Sequence, residues 1–171
     1  MVTVIAELLD SHALGDVIAG ILLLGLAAAF VGCGLGLTFT DVTRHRLPNR
    51  IVYPWAVGAM AALVTAGTLA GAPEAPLRAL TGGGAWAGGL LLARWIRPPP
   101  FGMGDVKLAA VLGLHAGFFG WSVLASAVGL SFVLGGVASL VLVLTRRARL
   151  RDRVPFGPSL LLGAATALLL S

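Results

Sequence analysis

The sequence predicts an all-α fold: a polytopic membrane bundle of six transmembrane helices, built as a single domain over residues 1–171. Composition is the first observation behind this prediction. Of the 171 residues, 58% are hydrophobic and only 11% are charged, with a mean hydropathy of +0.97, whereas soluble domains are about one quarter charged. A chain of this length cannot enclose so much apolar surface in its own core, so lipid must cover the remainder.

The second observation is the length and spacing of the apolar segments. A helix needs about 20 apolar residues to cross the hydrocarbon core of a bilayer. Four segments approach or exceed that length, at 15–38, 51–70, 77–95 and 121–145, and two shorter segments lie at 105–119 and 156–170. No internal repeat or linker divides the chain, which is why one domain is expected.

The third observation is where the basic residues lie, and it predicts the orientation. Of the 12 Lys and Arg residues, all except Arg78 fall within three segments, 44–50, 94–107 and 146–153. Short basic loops favour the cytoplasmic side of a membrane. The chain must therefore cross an even number of times between the second and third basic segments, with an outer turn expected near 117–121. Six crossings follow, with the N-terminus and Ser171 outside.

The connections outside the basic segments agree with this arrangement. The first 16 residues carry three acids and no Lys or Arg. They lack the positive start of a secretory signal peptide, so the first apolar run is expected to remain in the mature protein. The segment 71–76 contains Pro73 and Pro76, which end helices, and it is expected to form an outer loop.

Several classes of function are excluded by what the sequence lacks. Cys33 is the only cysteine, so neither an internal disulfide nor a multi-cysteine zinc site can form. The three histidines are scattered and predict no metal site. The net charge of +5 comes from basic residues next to apolar segments, as in loops beside a membrane. Nucleic acid is therefore not expected as a partner; the expected partners of these basic residues are anionic lipid headgroups.

Two carboxylates remain as candidates for chemistry, Asp41 and Asp105. Both are predicted at the cytoplasmic ends of helices, where ionisable groups are costly and often functional. Two neighbouring carboxylates can share one proton, so that one activates water while the other protonates a peptide carbonyl. A structural interpretation stays open for each: Asp105 as a carboxylate at a helix N-terminus, and Asp41 as a partner of Arg44 or Arg46.

Three motifs resemble those of the type IV prepilin peptidases, which are aspartic proteases of the bacterial inner membrane. The stretch "GMGDVKL" at 102–108 resembles the family's GxGD motif. The stretch "DVTRHRLPNRIVYP" at 41–54 resembles its first motif, and "VPFGPSLLLGA" at 154–164 its C-terminal segment. The motifs occur in the family's order, each at a predicted cytoplasmic end of a helix.

The resemblance implies an endopeptidase that removes a short basic leader from prepilin-like precursors at the cytoplasmic face. Asp41 and Asp105 match the catalytic aspartates. Other matched positions are implied to support the site: Gly102 and Gly104 as motif glycines, Lys107 as a residue that tunes Asp105 or contacts lipid, Pro48 and Asn49 as the residues closing the first loop, and Phe156, Gly157 and Pro158 as structural residues at the mouth of the site. Larger family members carry an N-terminal region with paired cysteines that is associated with methylation. This sequence lacks it, so cleavage without methylation, zinc or S-adenosylmethionine is expected, and no cofactor.

Three other functions are weaker interpretations of the same carboxylates. A presenilin-like intramembrane protease shares GxGD but has Pro-Ala-Leu where this chain has "PFGPS". A proton-coupled carrier would place its acids near the midplane of the membrane, whereas these two are predicted at one face. A non-catalytic subunit of a pilus or secretion assembly is distinguished only by activity. The oligomeric state does not follow from the sequence.

Overall fold

Each of the six predicted spans coincides with a helix. The structure, a computed structural model, describes residues 1–44, 48–95, 102–145 and 156–171, with no side-chain description for 42–44. Within those ranges the chain forms seven helices and no strand, which confirms the all-α prediction for that part: α1 (Val2–Leu9), α2 (Leu14–Arg44), α3 (Asn49–Leu69), α4 (Glu74–Ala93), α5 (Met103–Phe119), α6 (Trp121–Leu144) and α7 (Gly157–Leu169). The short α1, which packs on α2, was not predicted.

Only some of the six predicted spans have the length and composition that a membrane crossing requires. Among the described residues, three stretches are long and apolar enough to cross a bilayer: Leu14–Asp41, Asn49–Leu69 and Trp121–Leu144. Helices α5 and α7 have 17 and 13 residues, which is less than a perpendicular crossing requires. Six crossings and the orientation of the N-terminus therefore remain predictions.

Helix α5 is the centre of the bundle and contacts α3, α4, α6 and α7. From Asp105 to Phe118 nearly all of its residues are buried. A helix that is apolar on every face is expected to be enclosed by other helices. Because α5 carries Asp105 in its first turn, the candidate site is built on the most enclosed element of the protein.

Glycines allow α4 and α5 to pack with their backbones in contact. A Cβ atom on Gly113 would lie 2.7 Å from the Gly82 carbonyl oxygen and 2.7 Å from the Gly83 Cα. A Cβ atom on Gly117 would lie 2.7 Å from the Arg78 carbonyl oxygen. Small residues at such positions are typical of helix pairs in membranes, and here they fix the position of α5 against α4.

The bundle has two distinct ends. At the terminal end, the N-terminal ammonium group of Met1 donates hydrogen bonds to the carbonyl and hydroxyl oxygens of Ser171. Arg78 lies at this end too, where its Nη2 donates to the Phe118 carbonyl oxygen at 2.9 Å at the C-terminus of α5. This contact explains the one basic residue outside the three predicted basic segments, since a cation there satisfies a helix carbonyl and opposes the helix dipole.

Two tight turns also lie at the terminal end, and each depends on a glycine. The turn after α3 has Gly71 at φ +67°, and the Ala72 N–H donates to the Gly67 carbonyl oxygen at 2.8 Å, a Schellman-type helix end. The predicted turn at 117–121 is shorter than expected, because α5 continues to Phe119 and only Gly120, at φ +144°, separates it from α6. A side chain at either glycine would be strained.

Candidate active site

Asp41 and Asp105 are the two buried carboxylates of the described chain, with 6% and 8% of their surfaces exposed. They lie at the end of the bundle opposite Met1 and Ser171, here called the aspartate end, where α2 finishes and α3, α5 and α7 begin. The other four described acids are exposed or half-buried: Glu7, Asp10, Asp16 and Glu74. Burial of a carboxylate is costly unless hydrogen bonds or charges compensate it, so the contacts of these two residues matter.

Asp41 is held by the start of α7. The Gly157 backbone N–H donates to Asp41 Oδ2 at 3.1 Å, although 116 positions separate the two residues. Gly157 is the first residue of α7, so its N–H is one of those left without a partner inside the helix, at the positive end of the helix dipole. The two sequence alternatives for Asp41, Arg44 and Arg46, lie outside the described side chains.

No side chain fits between Gly157 and Asp41. A Cβ atom on Gly157 would lie 2.6 Å from Asp41 Oδ2 and 3.2 Å from its Cγ. The predicted role of Gly157 was structural only; the structure brings its backbone into direct contact with the carboxylate. The signal in the sequence was its position between Phe156 and Pro158 at a helix start, but no local pattern indicates which carboxylate it meets.

The residues on either side of Gly157 position this helix start. The Phe156 ring packs so closely on α6 that a Cβ atom on Gly135 would overlap it, and the ring lies 5.8 Å from that of Phe132. Pro158 occupies the first turn of α7, where a missing N–H costs nothing and the fixed φ suits the helix. Together they orient the Gly157 N–H toward Asp41.

Asp105 is held by its own helix start. It is the third residue of α5, and its Oδ2 accepts a hydrogen bond from the Gly102 N–H at 2.9 Å. A carboxylate makes this interaction in the second half of a capping box. The contact expected if Asp105 is a carboxylate at a helix N-terminus is therefore present. Gly104 is half-buried beside Asp105.

The electrostatic surroundings of Asp105 favour its protonated form. Asp105 lies in the first turn of α5, outside the three stretches of membrane-spanning length. Burial raises its pKa to about 6, the Gly102 N–H lowers it, the charge of Asp41 raises it and the charge of Arg94 lowers it. The charge of Asp41 is thus one of the causes that make Asp105 harder to ionise. A carboxyl whose pKa lies nearer neutrality can hold and release a proton, which suits acid–base chemistry.

Arg94 is a residue that the sequence interpretation missed. It caps the C-terminus of α4 and acts on Asp105 as a positive charge. The sequence placed it only in a basic segment that orients the chain. Its position in the same predicted basic segment as Asp105 was the available signal.

Lys107, Asn49 and Pro48 connect the start of α3 to the first turns of α5. Lys107 Nζ donates to Asn49 Oδ1 at 3.0 Å and lies 5.1 Å from the centre of the Tyr53 ring. Asn49 is the first residue of α3, and Pro48 precedes it as the N-cap in an extended conformation. Lys107 therefore contacts a neighbouring helix start, and no contact from it to Asp105 is described.

The residues expected in the basic loops are only partly described. His45, Arg46, Arg97 and the arginines from Arg146 to Arg153 lie outside the described residues. Among the residues that are described, no three His, Cys, Asp or Glu side chains cluster in a way that could hold a metal ion. The arrangement that remains is a carboxylate pair at one end of a helical bundle, each member bound by a glycine N–H.

Comparison with known protein families gives one match. The sequence profile of the type IV leader peptidase family matches residues 28–140, more than half of the chain. The matched range includes both aspartates and the GxGD stretch, and it ends before Phe156. No curated protein and no solved structure matches the chain. This family consists of proteases. Family membership together with the three apolar helices of spanning length indicates a membrane protein. The chain belongs to the type IV leader peptidase family.

Proposed function

We propose that this protein is an aspartic endopeptidase that removes the short basic leader from prepilin-like precursors, with Asp41 and Asp105 as its catalytic residues. One observation carries the proposal. The two buried carboxylates of the described chain lie at the same end of the bundle, and the charge of one acts on the other. Family membership makes peptide hydrolysis the reaction for which such a pair would be used.

The proposed reaction is direct attack of water on the scissile peptide carbonyl. The ionised carboxylate of the pair takes a proton from water while the water oxygen bonds to the carbonyl carbon. The protonated carboxyl group donates its proton to the carbonyl oxygen, giving a neutral tetrahedral intermediate. The carboxyl group that was protonated in the first step then gives its proton to the amide nitrogen, while the other carboxylate takes a proton from a hydroxyl of the intermediate; the C–N bond breaks and a carboxylic acid and an amine are released. No covalent enzyme intermediate forms, and the pair ends with one proton as it began.

The proposed setting is the bacterial inner membrane, with six crossings and the aspartate end facing the cytoplasm. The contact between Met1 and Ser171 at the terminal end supports an even number of crossings. The basic segments support the orientation, since each Lys or Arg near an anionic surface contributes about 1 kcal/mol. A precursor with a basic leader followed by an apolar helix would then present the junction of the two at the depth of Asp41 and Asp105.

The supporting residues are proposed to act by positioning. Gly102 and Gly157 each donate one N–H to an aspartate. Lys107 would keep the start of α3 beside α5 through Asn49. Phe156 and Pro158 would orient the start of α7, Pro48 would set the entry into α3, and Gly104 would leave room beside Asp105 for a substrate backbone.

The test is cleavage of a prepilin with a basic leader by the purified protein in liposomes. Mass spectrometry would identify the new N-terminus. Asp41→Asn and Asp105→Asn each remove one acid–base group at nearly constant shape, so each is expected to reduce kcat/KM by about 100-fold to 10,000-fold. The matched control is Asp10→Asn, an exposed acid outside the site, which should cleave at the wild-type rate.

Circular dichroism and thermal unfolding would verify that each variant is folded. Single cleavage at the leader junction by wild type and by Asp10→Asn, with loss in both other variants, supports the proposal. Normal cleavage by a folded Asp41→Asn or Asp105→Asn would refute the aspartate mechanism. An inert wild-type protein would instead favour a non-catalytic role in pilus or secretion assembly.

A further inference from the structure

The last third of α6 extends past the aspartates without burying a side chain against the described bundle. The buried residues of α6 are Val123, Leu124, Ala127, Ser131 and Gly135. None of residues 136–144 is buried. Buried positions spaced three or four residues apart mark the side of a helix that packs on its neighbours, and on α6 this side ends at Gly135. Residues 136–144 are here called the projecting segment.

The packing of α7 on α6 shows how far the projecting segment reaches. The Phe156 ring contacts α6 at Gly135, and the next residue, Gly157, donates its N–H to Asp41 Oδ2. Helix α6 therefore passes the height of Asp41 at Gly135. Nine more residues follow up to Leu144, and at about 1.5 Å per residue they add about 13 Å of helix beyond the aspartates.

Helix α3 begins near the height of the aspartates and does not extend past them. A Cβ atom on Gly36 of α2 would lie 3.9 Å from Ile51 Cδ1, and Gly36 precedes Asp41 by five residues. Because α3 starts at Asn49, only two residues before Ile51, its start lies at or slightly short of the height of Asp41. Arg50, in the first turn, is exposed.

Helix α4 contacts both α3 and α6, and its reach is intermediate. A Cβ atom on Gly83 would lie 2.7 Å from the Ala110 carbonyl oxygen, so these two residues are at one height. From there α5 runs five residues back to Asp105, whereas α4 runs ten residues on to Ala93. Helix α4 therefore passes Asp105 by about five residues, or about 7 Å, and Arg94 follows.

The projecting segment is apolar on all sides. Its sequence is "GVASLVLVL", and 58% of Leu140 and 72% of Leu144 are exposed. A helix without a polar side requires an apolar environment. The segment continues the exposed side of a stretch of membrane-spanning length, Trp121–Leu144, so lipid hydrocarbon is the environment that the whole helix shares.

Basic residues mark the same staggered boundary on all three helices. Arg50 lies in the first turn of α3, Arg94 caps the end of α4, and in the sequence Arg146 and Arg147 follow shortly after Leu144. Lys and Arg at the ends of spans favour the headgroup region. Relative to the aspartates, these positions move outward from α3 to α4 to α6.

We propose that the projecting segment lies in the hydrocarbon of the bilayer, so that the headgroup boundary crosses the aspartate end obliquely. The boundary meets α3 near Arg50 and meets α6 near Leu144, about 13 Å further along the bundle. On the α6 side, Asp41 and Asp105 then lie below the headgroups. This interaction with the bilayer does not depend on peptidase activity.

One consequence rests on the proposed function. A prepilin-like precursor has an apolar helix that requires lipid and a basic leader that requires water. An oblique boundary supplies both at the height of the aspartates, with hydrocarbon on the α6 side and headgroups and water on the α3 side. The scissile bond and the attacking water would then reach the carboxylates from different sides.

The experiment measures the depth of single spin labels on the full chain in vesicles of phosphatidylcholine and phosphatidylglycerol. Cys33, the only cysteine, is first replaced by Ala. Labels are then attached to Gly136→Cys, Leu144→Cys or Arg50→Cys. Gly136 has room for a side chain, since nothing lies within 4 Å of an added Cβ atom. Depth follows from collisions with oxygen, which concentrates in hydrocarbon, relative to a nickel chelate, which stays in water.

Gly136 and Arg50 lie at nearly the same height in the bundle, so they form the matched pair. A flat boundary would place their labels at equal depth. The oblique boundary predicts that the Gly136 label is about 10 Å deeper than the Arg50 label, with the Leu144 label at the headgroups. Val57→Cys, at an exposed position of α3, supplies the reference for a label in hydrocarbon.

Two results would overturn the proposal. Equal depths for the Gly136 and Arg50 labels, with the Leu144 label open to the nickel chelate, would place the projecting segment in water. A Leu144 label shielded from both oxygen and nickel would show that protein covers the segment. Circular dichroism would verify folding, and Val141→Cys, also exposed, would replace a Leu144→Cys variant that fails to fold. No cleavage is measured, so this outcome is independent of whether the protein cuts a precursor.

Discussion

The contact between Gly157 and Asp41 leads to the sharpest prediction about the candidate active site. In Gly157→Ala the new Cβ atom would lie 2.6 Å from Asp41 Oδ2, whereas ordinary contact begins at 3.4 Å. Either the carboxylate or the start of α7 must therefore move by about 0.8 Å. The second option is opposed by Phe156, whose ring is packed on Gly135. The expected result is displacement of the carboxylate and loss of the 3.1 Å hydrogen bond.

The magnitude follows from the displacement. A misplacement of about 1 Å in a catalytic group can cost about 100-fold in rate, so we expect kcat for prepilin cleavage to fall by roughly that factor in Gly157→Ala. Gly102→Ala provides a graded comparison, because its Cβ atom would lie 3.3 Å from Asp105 Oδ2. That contact is only slightly tight, and a loss of a few-fold at most is expected.

The matched control is Gly136→Ala on α6, where nothing lies within 4 Å of the added Cβ atom. It should cleave at the wild-type rate. The assay is single-turnover cleavage of a prepilin in liposomes, with thermal unfolding measured on each variant. A folded Gly157→Ala protein whose rate stays within threefold of wild type would refute the argument that this contact positions Asp41.

Two further predictions concern stability and pH. Gly113→Ala places a Cβ atom 2.7 Å from backbone atoms of α4 and should destabilise the protein by about 1–3 kcal/mol, whereas Gly84→Ala, with nothing within 4 Å, should not. Denaturation in mixed micelles would measure the stability of both variants, and equal stability would contradict the close contact between α4 and α5. Because Asp105 has a pKa of about 6, its proton is lost as the pH rises through that value, and the cleavage rate should fall on the alkaline side. The charge of Arg94 lowers this pKa, so Arg94→Gln should move the alkaline limb of the pH–rate profile to higher pH. A limb that stays in place or moves to lower pH would contradict the attribution of this limb to Asp105.

The two aspartates are held in similar ways by different parts of the chain. Each accepts a hydrogen bond from a glycine N–H next to a helix start: Gly102 before α5 for Asp105, and Gly157 at the beginning of α7 for Asp41. Backbone N–H groups at helix starts have no partner within the helix and favour negative charge. A side chain at Gly157 would overlap the Asp41 carboxylate, whereas one at Gly102 would be only slightly tight against Asp105. The first glycine of GxGD and the glycine of the Pro-Phe-Gly-Pro segment therefore share one role: each donates a backbone N–H to an aspartate.

What the sequence by itself determined is the set of helices and the two candidate acids. Apolar runs of helical length, ended by Pro, Gly and charged residues, are local features, and they predicted α2 to α7 closely. The same local information identified Asp41 and Asp105, because carboxylates are rare beside apolar runs. It missed α1, whose eight residues are too few to form a recognisable apolar period.

Only the tertiary structure decided which groups meet. The hydrogen bond between Gly157 and Asp41 joins residues 116 positions apart, and no local pattern specifies such a pair. Gly83 and Gly84 are neighbours in sequence, yet their surroundings differ. A Cβ atom added to Gly83 would lie 2.7 Å from the Ala110 carbonyl oxygen, whereas a Cβ atom added to Gly84 would have no atom within 4 Å. The reason is geometric: helix formation depends on neighbours along the chain, whereas the direction of each helix face depends on how all the helices pack together.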